Sequence, residues 1–261
     1  MKQTRKLLDD VASGKMTPEE AEKKLYELSI DNIGGLALLD VNRGTRSGIP
    51  EIVFGESKTP EDIIQIITNI LKAHNVVLVT RLTQEKLDFI LSNFKDENIE
   101  VHGKNPILTA LVHTDRWKEE ETGGKIAVIT AGTSDIPYAK EAEALARLVG
   151  VEVYSYYDVG VSGIHRLIEP IKEIREKDVD ALIVFAGMEG ALPTVVAALV
   201  DIPVIGVPVP TGYGFGGRGE TALASMLQSC SPGLSVVNIG NGIGAASVAS
   251  LIAKRVAKYR S

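Results

Sequence analysis

Apolar and polar positions follow a regular pattern over the second half of the chain. From Lys125 onward, five short apolar runs are each followed by a segment with helical spacing: KIAVITAG, VEVYSYYDVG, ALIVFAG, PVIGVPV and LSVVNIG. Such runs, apolar on both faces and rich in β-branched residues, predict a parallel sheet covered by helices on both sides. Because crossovers between parallel strands are right-handed, we predict a doubly wound three-layer α/β/α fold. Its first helix, SDIPYAKEAEALARLVG, is interpreted as amphipathic.

The first part of the chain is less regular and predicts a smaller α/β domain. Thr17 and Thr59 are each followed by proline and then by acidic residues, which predicts two helix N-termini, with Glu20 closing a capping box. VVLVTR predicts a buried strand, followed by a helix near 82–94 and a strand near 99–102. The charge-dense segment HTDRWKEEETGG separates the two patterns, so we place the domains at 1–114 and 115–261. A long loop inside one fold is the alternative.

Composition narrows the class of function. The chain has 28 basic and 34 acidic residues, a net charge of −6, which argues against nucleic-acid and anionic-membrane binding. One cysteine excludes an intrachain disulfide framework, and the four dispersed histidines lack metal-ligand spacing. No apolar run is long enough to span a bilayer, and the N-terminus lacks a signal-peptide pattern. We therefore expect a cytoplasmic protein.

Five loops follow the predicted strands, at the edge where ligands bind in such folds: AGTSD, DVGVSGIHR, AGMEG, PVPTGYGFGGRG and NIGNGIG. In the first loop, Ser134 and the free N–H groups of a helix start favour a phosphate, and Asp135 suits ribose hydroxyls. A plain helix cap is the alternative. The spacing of Gly212, Gly214 and Gly217 resembles a dinucleotide-binding loop, but no acidic residue follows the next strand. We interpret this segment as a flexible loop that closes over a ligand.

Three further residues carry candidate chemistry. His165 is predicted to begin a helix, which disfavours its protonation and leaves a neutral imidazole for proton transfer. Glu189 is a candidate acid or base in an otherwise apolar loop. Cys230, the single cysteine, lies in a loop that leads into the last predicted strand. A partly buried histidine, a charge at a helix start and an inert buried cysteine are the respective alternatives, and for Cys230 the residues alone favour the inert interpretation.

The basic residues Arg43, Arg46 and Lys58 are clustered in the first part of the chain. Such a cluster can hold a carboxylate or a pyrophosphate through charge-assisted hydrogen bonds. A solvated basic loop, with Asp40 and Glu51 as its partners, is the alternative.

Several dispersed motifs, in order, resemble one family. ITAGTSDIPYAKEAEAL, VGVSGIHRLIEP, AGMEGALPTVVAALVDIPVIGVPV, MLQSCSPG and LDVNRGTRSGIPEIVFGESKT resemble the LarB family, within the aminoimidazole-ribonucleotide carboxylase (PurE-like) superfamily. The resemblance implies carboxylation at C5 of the pyridinium ring of nicotinic acid adenine dinucleotide, with CO2 from bicarbonate, and cleavage of its phosphoanhydride. The products are pyridinium-3,5-biscarboxylate mononucleotide and AMP, on the route to a nickel-pincer cofactor.

The resemblance also implies roles for individual residues. Cys230 is the nucleophile that adds to C4 of the ring, Glu189 accepts the C5 proton or tunes the thiol, and His165 is a proton shuttle. A thiol suits this step because it is both a strong nucleophile and a good leaving group. The implied substrate-binding residues, besides Arg43, Arg46 and Lys58, are Thr133, Ser134, Asp135, Arg166, Gly187, Met188, Gly212, Tyr213, Asn238 and Asn241.

Other expectations complete this hypothesis. Magnesium is expected to be held mainly by the substrate phosphates, with no tightly bound organic cofactor, and a homo-octamer is implied by the resemblance. Gly240 stands where the family usually has an aspartate. One alternative is a carboxylase or mutase acting on aminoimidazole ribonucleotide, in which His165 is essential and Cys230 dispensable. The other alternative is a non-catalytic nucleotide-binding module.

Overall fold

The computed structural model describes residues 2–27, 30–33, 37–40 and 43–260. Its first part contains the helices α1 Lys2–Ala12, α2 Pro18–Glu27, α3 Arg43–Ser47, α4 Pro60–His74 and α5 Gln84–Asn93. The strands of this part are β1 Ile30–Ile33, β2 Ala37–Asp40, β3 Ile52–Phe54, β4 Val76–Leu82, β5 Asn98–Lys104 and β6 Ile107–His113.

The second part alternates strands and helices. Its strands are β7 Lys125–Thr130, β8 Glu152–Tyr156, β9 Ala181–Ala186, β10 Val204–Pro208 and β11 Leu234–Val236. Its helices are α6 Ile136–Leu148, α7 Ile168–Glu176, α8 Leu192–Leu199, α9 Glu220–Leu227 and α10 Gly242–Arg260. Among the described helices, none combines the length and apolar character that a membrane span requires.

Both predicted helix starts are confirmed by their hydrogen bonds. The Glu20 backbone N–H donates to Thr17 Oγ1 (3.2 Å), and the Thr17 N–H donates to the Glu20 carboxylate (3.0 Å), which completes a capping box. At α4, Thr59 Oγ1 accepts from the Asp62 N–H (3.2 Å). Local sequence chemistry is therefore sufficient to fix these two ends.

The first part is built around a mixed four-stranded sheet in the order β3-β4-β6-β5. β3 and β4 are parallel, whereas β6 pairs antiparallel with both β4 and β5. β6 was not among the predicted strands, although six of its seven residues are buried. Helices α4 and α5 cover one face of the sheet, and the opposite face, with Leu78 and Leu111, packs into a core shared with α6.

The second part confirms the doubly wound prediction. Its five strands are all parallel, in the order β11-β10-β9-β7-β8. Alternate residues of β7 point to opposite faces: Ile126 and Val128 pack with α6 and α10, and Ala127 and Ile129 pack with α7, α8 and α9. The sheet is therefore the middle of three layers.

Helix α6 is buried on almost every side, so its interpretation as an amphipathic helix is wrong. It lies between its own parallel sheet and the mixed sheet of the first part, and its acidic Glu141 and Glu143 are buried. Thr80 and Arg81 donate to Glu141, and Lys140 and Ser155 donate to Glu143 (2.8 and 2.9 Å). The face that local spacing assigns to solvent is covered by the second sheet.

An irregular segment, residues 114–124, connects β6 to β7. Thr122 fixes its end, donating from its hydroxyl to Gly150 O (2.7 Å). Because Ile49, Leu78, Ile107 and Leu111 belong to the same core as α6 and α10, the two parts pack as one unit. The boundary at residue 114 remains a prediction.

Candidate functional site

The parallel sheet has one topological switch point, between β7 and β9. These strands are neighbours in the sheet, but the chain leaves them towards opposite edges, which opens a crevice at their carboxyl ends. A cavity of about 500 Å³ lies there. Four of the five predicted loops supply its wall, those after β7, β8, β9 and β10.

The loop after β7 places a buried carboxylate in this wall. Asp135 ends a short 3-10 turn before α6 and is 3% exposed. Its Oδ2 accepts from the Gly132 N–H (2.9 Å), and its Oδ1 accepts from Thr211 Oγ1 (3.1 Å). Burial raises the pKa of the Asp135 carboxyl, and the hydrogen bonds from Gly132 and Thr211 oppose that rise. The hydroxyl of Thr211 thus ties two strand ends together at the site.

The loop after β9 depends on a close approach that only glycine allows. A Cβ on Gly187 would lie 2.0 Å from Thr211 Oγ1 and 2.5 Å from Thr211 O. The next residue, Met188, has a φ of 52° and donates from its N–H to Thr211 O (2.8 Å). This arrangement brings Met188 and the exposed Glu189 to the cavity wall.

The charged side chains that line the cavity, among the described residues, are acidic. Asp135 and Glu189 both line it, together with the hydroxyl groups of Ser134, Ser162, Thr211 and Tyr213. Within the described part of the chain, no lysine, arginine or histidine lines this cavity. Among the described residues, both charged side chains of the cavity wall are therefore acidic.

Seven predicted site residues lie together in the cavity wall: Ser134, Asp135, Gly187, Met188, Glu189, Gly212 and Tyr213. Thr133 begins the turn before α6 but is exposed and does not line the cavity. Sequence reasoning missed Thr211 and Ser162. Thr211 directly precedes Gly212, which was predicted. A hydroxyl residue beside a glycine-rich loop at a strand end is the sequence signal that could have identified Thr211.

The helix predicted to begin at His165 begins three residues later, at Ile168. Residues Val161–Leu167 form a 3-10 segment, interrupted by non-helical dihedral angles at Gly163. His165 is therefore not at the start of an α-helix, so the helix-dipole argument for a neutral imidazole does not hold. His165 is exposed and outside the cavity wall, and Arg166 forms an ion pair with Asp158 (2.9 Å).

The last loop, which contains Asn238 and Asn241, lies at the contact between the two parts of the chain. Asn241 Oδ1 accepts from the Gly244 N–H (2.8 Å), and Asn238 Oδ1 accepts from the Ile239 N–H (2.8 Å). Gly240 O accepts from Arg81, and a Cβ on Gly240 would lie 3.2 Å from Tyr138. Gly240, where the resemblance implies an aspartate, therefore faces Arg81 and Tyr138, outside this cavity.

The basic cluster of the first part has the partners that its alternative interpretation requires. Arg43 pairs with Glu51 (3.1 Å), and Arg46 pairs with Asp40. Both arginines are exposed, and Lys58 follows β3 with its backbone N–H donating to Gly55 O (3.3 Å). These three residues do not line the cavity at the switch point.

Cys230 lies at the other edge of the sheet. It is exposed, in the loop between α9 and β11. Gly233, in the same loop, accepts at its carbonyl from the N–H of Val204, the first residue of β10 (3.0 Å). The loop therefore enters the sheet at its amino edge, whereas the cavity lies at the carboxyl edge, and Cys230 does not line the cavity of its own chain.

The fold and its cavity define a doubly wound α/β protein with a ligand crevice at the switch point. A family model described as AIR carboxylase matches residues 125–260, and one described as LarB/PurE-like N-terminal domain matches residues 30–110. The chain belongs to the LarB family, within the PurE-like superfamily of carboxylase and mutase enzymes.

Relatives match either the whole chain or its second half. An uncharacterized protein of Methanocaldococcus jannaschii is 41% identical, over 97% of this chain and 98% of its own length. N5-carboxyaminoimidazole ribonucleotide mutases of Saccharolobus solfataricus and Methanocaldococcus jannaschii are 32% and 34% identical, over 51% and 52% of this chain and 80% and 87% of their own lengths. A crystal structure of Treponema denticola PurE2 is 19% identical with a TM-score of 0.42, covering 53% of this chain and 82% of its own.

Proposed function

We propose that the protein carboxylates C5 of the pyridinium ring of nicotinic acid adenine dinucleotide and cleaves the phosphoanhydride, releasing pyridinium-3,5-biscarboxylate mononucleotide and AMP. The observation that carries this proposal is the charge of the cavity, which holds Asp135 and Glu189 and no basic side chain among the described residues. The ring nitrogen of a pyridinium is cationic and suits these carboxylates, whereas the ring carboxylate and the phosphates of the dinucleotide require the hydrogen-bond donors of the site. The imidazole of aminoimidazole ribonucleotide carries no such charge near neutral pH.

The proposed chemistry proceeds by addition and elimination. A cysteine thiolate forms a bond to C4 of the pyridinium ring, and the ring becomes a neutral dihydropyridine with a nucleophilic C5. C5 attacks CO2 and forms the new carbon–carbon bond. Glu189 then takes the C5 proton, and expulsion of the thiolate restores the aromatic pyridinium. No electrons are gained or lost overall, and the thiol is regenerated.

The proposed nucleophile, Cys230, must come from a second copy of the chain. Cys230 is exposed at the amino edge of the sheet, outside the cavity of its own chain. A symmetric homo-oligomer, octameric by the family resemblance, can bring the amino-edge loop of one copy to the carboxyl-edge cavity of another. Under this proposal, each active site is shared between two subunits.

The remaining cavity residues bind the nucleotide in this proposal. Backbone N–H groups and Ser134 at the start of α6 hold a phosphate, and Asp135 accepts from a ribose hydroxyl. The described residues hold no group of three or more potential metal ligands of the His, Cys, Asp or Glu type. Magnesium is therefore proposed to bind mainly through the substrate phosphates, and we route no step of the reaction through it.

Mass spectrometry tests the reaction. Purified protein is supplied with nicotinic acid adenine dinucleotide, magnesium and carbon-13 bicarbonate, in parallel with Cys230→Ala and Glu189→Gln. The expected result is a labelled dicarboxylated mononucleotide plus AMP from the unmodified protein, none from Cys230→Ala and much less from Glu189→Gln. Equal product from Cys230→Ala would contradict the thiol role. Turnover of aminoimidazole ribonucleotide instead would establish the alternative carboxylase or mutase function, with the relatives named as mutases as its support.

Co-expression of the two variants tests whether the site is shared. In mixed oligomers, some cavities with an intact Glu189 face an intact Cys230 from a neighbour. Random mixing then restores roughly a quarter of the unmodified activity. If each site is built from one chain, the two variants cannot complement each other. Activity that does not recover on co-expression would therefore contradict the shared site, without contradicting the proposed reaction.

A further inference from the structure

A second cavity lies between the two parts of the chain. Its volume is about 490 Å³, within the roughly 300–1,000 Å³ of small-molecule sites. Helices α4 and α6 end at this cavity, with His74 and Leu148, and the connecting segment 114–124 supplies another wall. The cavity at the switch point lies at the start of α6, so the two cavities are at opposite ends of this helix. We call the second one the seam cavity; its wall includes Pro50, Ile70, Val76, Trp117, Leu148 and Lys254.

A turn at Thr114 places Trp117 in the wall of the seam cavity. The Thr114 N–H donates to Asn75 O (2.9 Å), and the Thr114 hydroxyl donates to Asn75 Oδ1 (3.3 Å), which joins the connecting segment to the end of α4. The Trp117 N–H donates to Thr114 O (3.1 Å), and the indole lies against the imidazole of His113, with ring centroids 4.8 Å apart. Because Trp117 is only partly buried, indole surface is left for a planar ligand ring to pack against.

Two cations of the connecting segment also line the seam cavity. Among the described residues, the side chains of Arg116 and Lys118 take part in no hydrogen bond or ion pair. Two acidic residues line the cavity as well, Glu51 and Glu120, but Glu51 is already paired with Arg43 (3.1 Å). The seam cavity therefore offers positive charge to a ligand, whereas the cavity at the switch point does not.

We propose that the seam cavity binds a purine nucleoside monophosphate. The base packs on Trp117, and its N–H groups donate to carbonyl groups that the last turns of α4 and α6 leave without a partner inside the helix. Such helix ends carry partial negative charge, so the phosphate binds instead to Arg116 and Lys118 of the connecting segment. A ligand held in this way contacts both parts of the chain and stabilises their packing. The inference does not depend on the proposed function.

The fluorescence of Trp117 tests this inference on the unmodified protein, because Trp117 is the single tryptophan of the chain. AMP, adenosine and ribose 5-phosphate are titrated separately. AMP should change the emission in a saturable way. Adenosine lacks the phosphate and ribose 5-phosphate lacks the base, so each should bind at least about tenfold more weakly than AMP.

A double variant tests the assignment of the phosphate. Arg116→Gln combined with Lys118→Gln should weaken AMP binding about a hundredfold and leave adenosine binding unchanged, because two charge-assisted contacts are removed. The matched control is Lys95→Gln combined with Lys104→Gln, which removes the same charge from exposed positions outside the cavity wall. This control should bind AMP as the unmodified protein does.

Three results would overturn the inference. The first is an emission that AMP does not change, and the second is equal affinity for AMP and adenosine. The third is AMP binding that the double variant retains but Asp135→Asn loses, which would assign the nucleotide to the cavity at the switch point. Any of these results, with carboxylation intact, would leave the proposed function standing, and AMP binding without carboxylation would leave this inference standing.

Discussion

Asp135 and Glu141 lie six residues apart, at the start and in the middle of the same helical region, and both are almost fully buried, at 3% and 1% exposure. Glu141 receives two hydrogen bonds from Arg81, at 3.0 and 3.1 Å, and one from Thr80. Asp135 receives hydrogen bonds from neutral donors, the Gly132 N–H and the Thr211 hydroxyl. The comparison shows that two buried acids of one helical region have different surroundings and different roles. Glu141 pairs with Arg81 and so connects α6 to the mixed sheet. Asp135 has neutral hydrogen-bond donors and lies in the wall of the cavity.

The largest effect on stability is expected from breaking the ion pair between Arg81 and Glu141. Arg81→Met leaves Glu141 buried without its cation and should lower the free energy of unfolding by about 3–5 kcal/mol. Urea denaturation measures this loss. Lys172→Met, in the exposed pair with Glu169, is the control and should cost less than about 1 kcal/mol. Arg81→Met combined with Glu141→Leu should recover most of the stability, since no unpaired charge remains. A loss no larger than the control's would refute the anchoring role.

The second-largest effect is expected from displacing Thr211, whose hydroxyl donates to Asp135. Gly187→Ala forces a methyl group against Thr211 and should cost about 1–3 kcal/mol of stability, because the hydroxyl must move away from Asp135. Thermal unfolding measures the change, together with the affinity for nicotinic acid adenine dinucleotide, which should fall. Gly44→Ala is the matched control, since its Cβ would meet only Pro50 at an ordinary 3.6 Å. Equal effects of the two substitutions would contradict the close approach.

A smaller, pH-dependent effect is expected from Asp135 itself. Its pKa is raised in the folded state by burial, so the folded chain binds the proton more tightly than the unfolded chain. The contribution of Asp135 to stability therefore falls as the pH rises through the window between the unfolded and folded pKa. The stability of Asp135→Asn relative to the unmodified protein should therefore increase as the pH rises through that window, because the amide does not titrate. Urea denaturation from pH 3 to 8 measures the difference.

The exposed Asp96→Asn provides the comparison for that series. Its stability relative to the unmodified protein should not follow the same pH profile. A constant difference for Asp135→Asn across the pH range would show that its burial does not carry the effect.

The smallest effect is expected at the exposed arginines. Arg43→Ala breaks the pair with Glu51 and should change the free energy of unfolding by less than about 1 kcal/mol, with still less effect at high salt. The affinity for nicotinic acid adenine dinucleotide should stay unchanged in a titration. A tenfold loss of affinity would instead restore the substrate-binding role predicted for this cluster.

Features that depend on neighbouring residues could be predicted from the sequence. Local spacing predicts the helix caps at Thr17 and Thr59. The repeated strand–helix pattern, with right-handed crossovers, predicts that the last five strands are parallel, although not their order. The observed cavity lies at the edge of the sheet where the rule for such folds predicts a ligand, at the carboxyl ends of the strands. Gly163 marks a limit of this approach, because its non-helical dihedral angles delay the start of α7.

Contacts between distant parts of the chain could not be predicted. The burial of Glu141 depends on a second sheet, and the hydrogen bond from Thr211 to Asp135 joins residues 76 positions apart. The placement of Cys230 at the amino edge of the sheet depends on the strand order, which local spacing along the chain does not give.

The position of α6 between two sheets also makes the protein suitable for splitting. Separate expression of residues 115–261 would uncover the side of α6 that packs against Leu78 and Leu111, and an apolar face of that kind promotes aggregation. Supplied together as two chains, the halves should reassemble around the same helix, with Arg81 and Glu141 selecting the correct docking. A cut in the segment 114–124 would thus turn one helix into the recognition element of a two-piece protein.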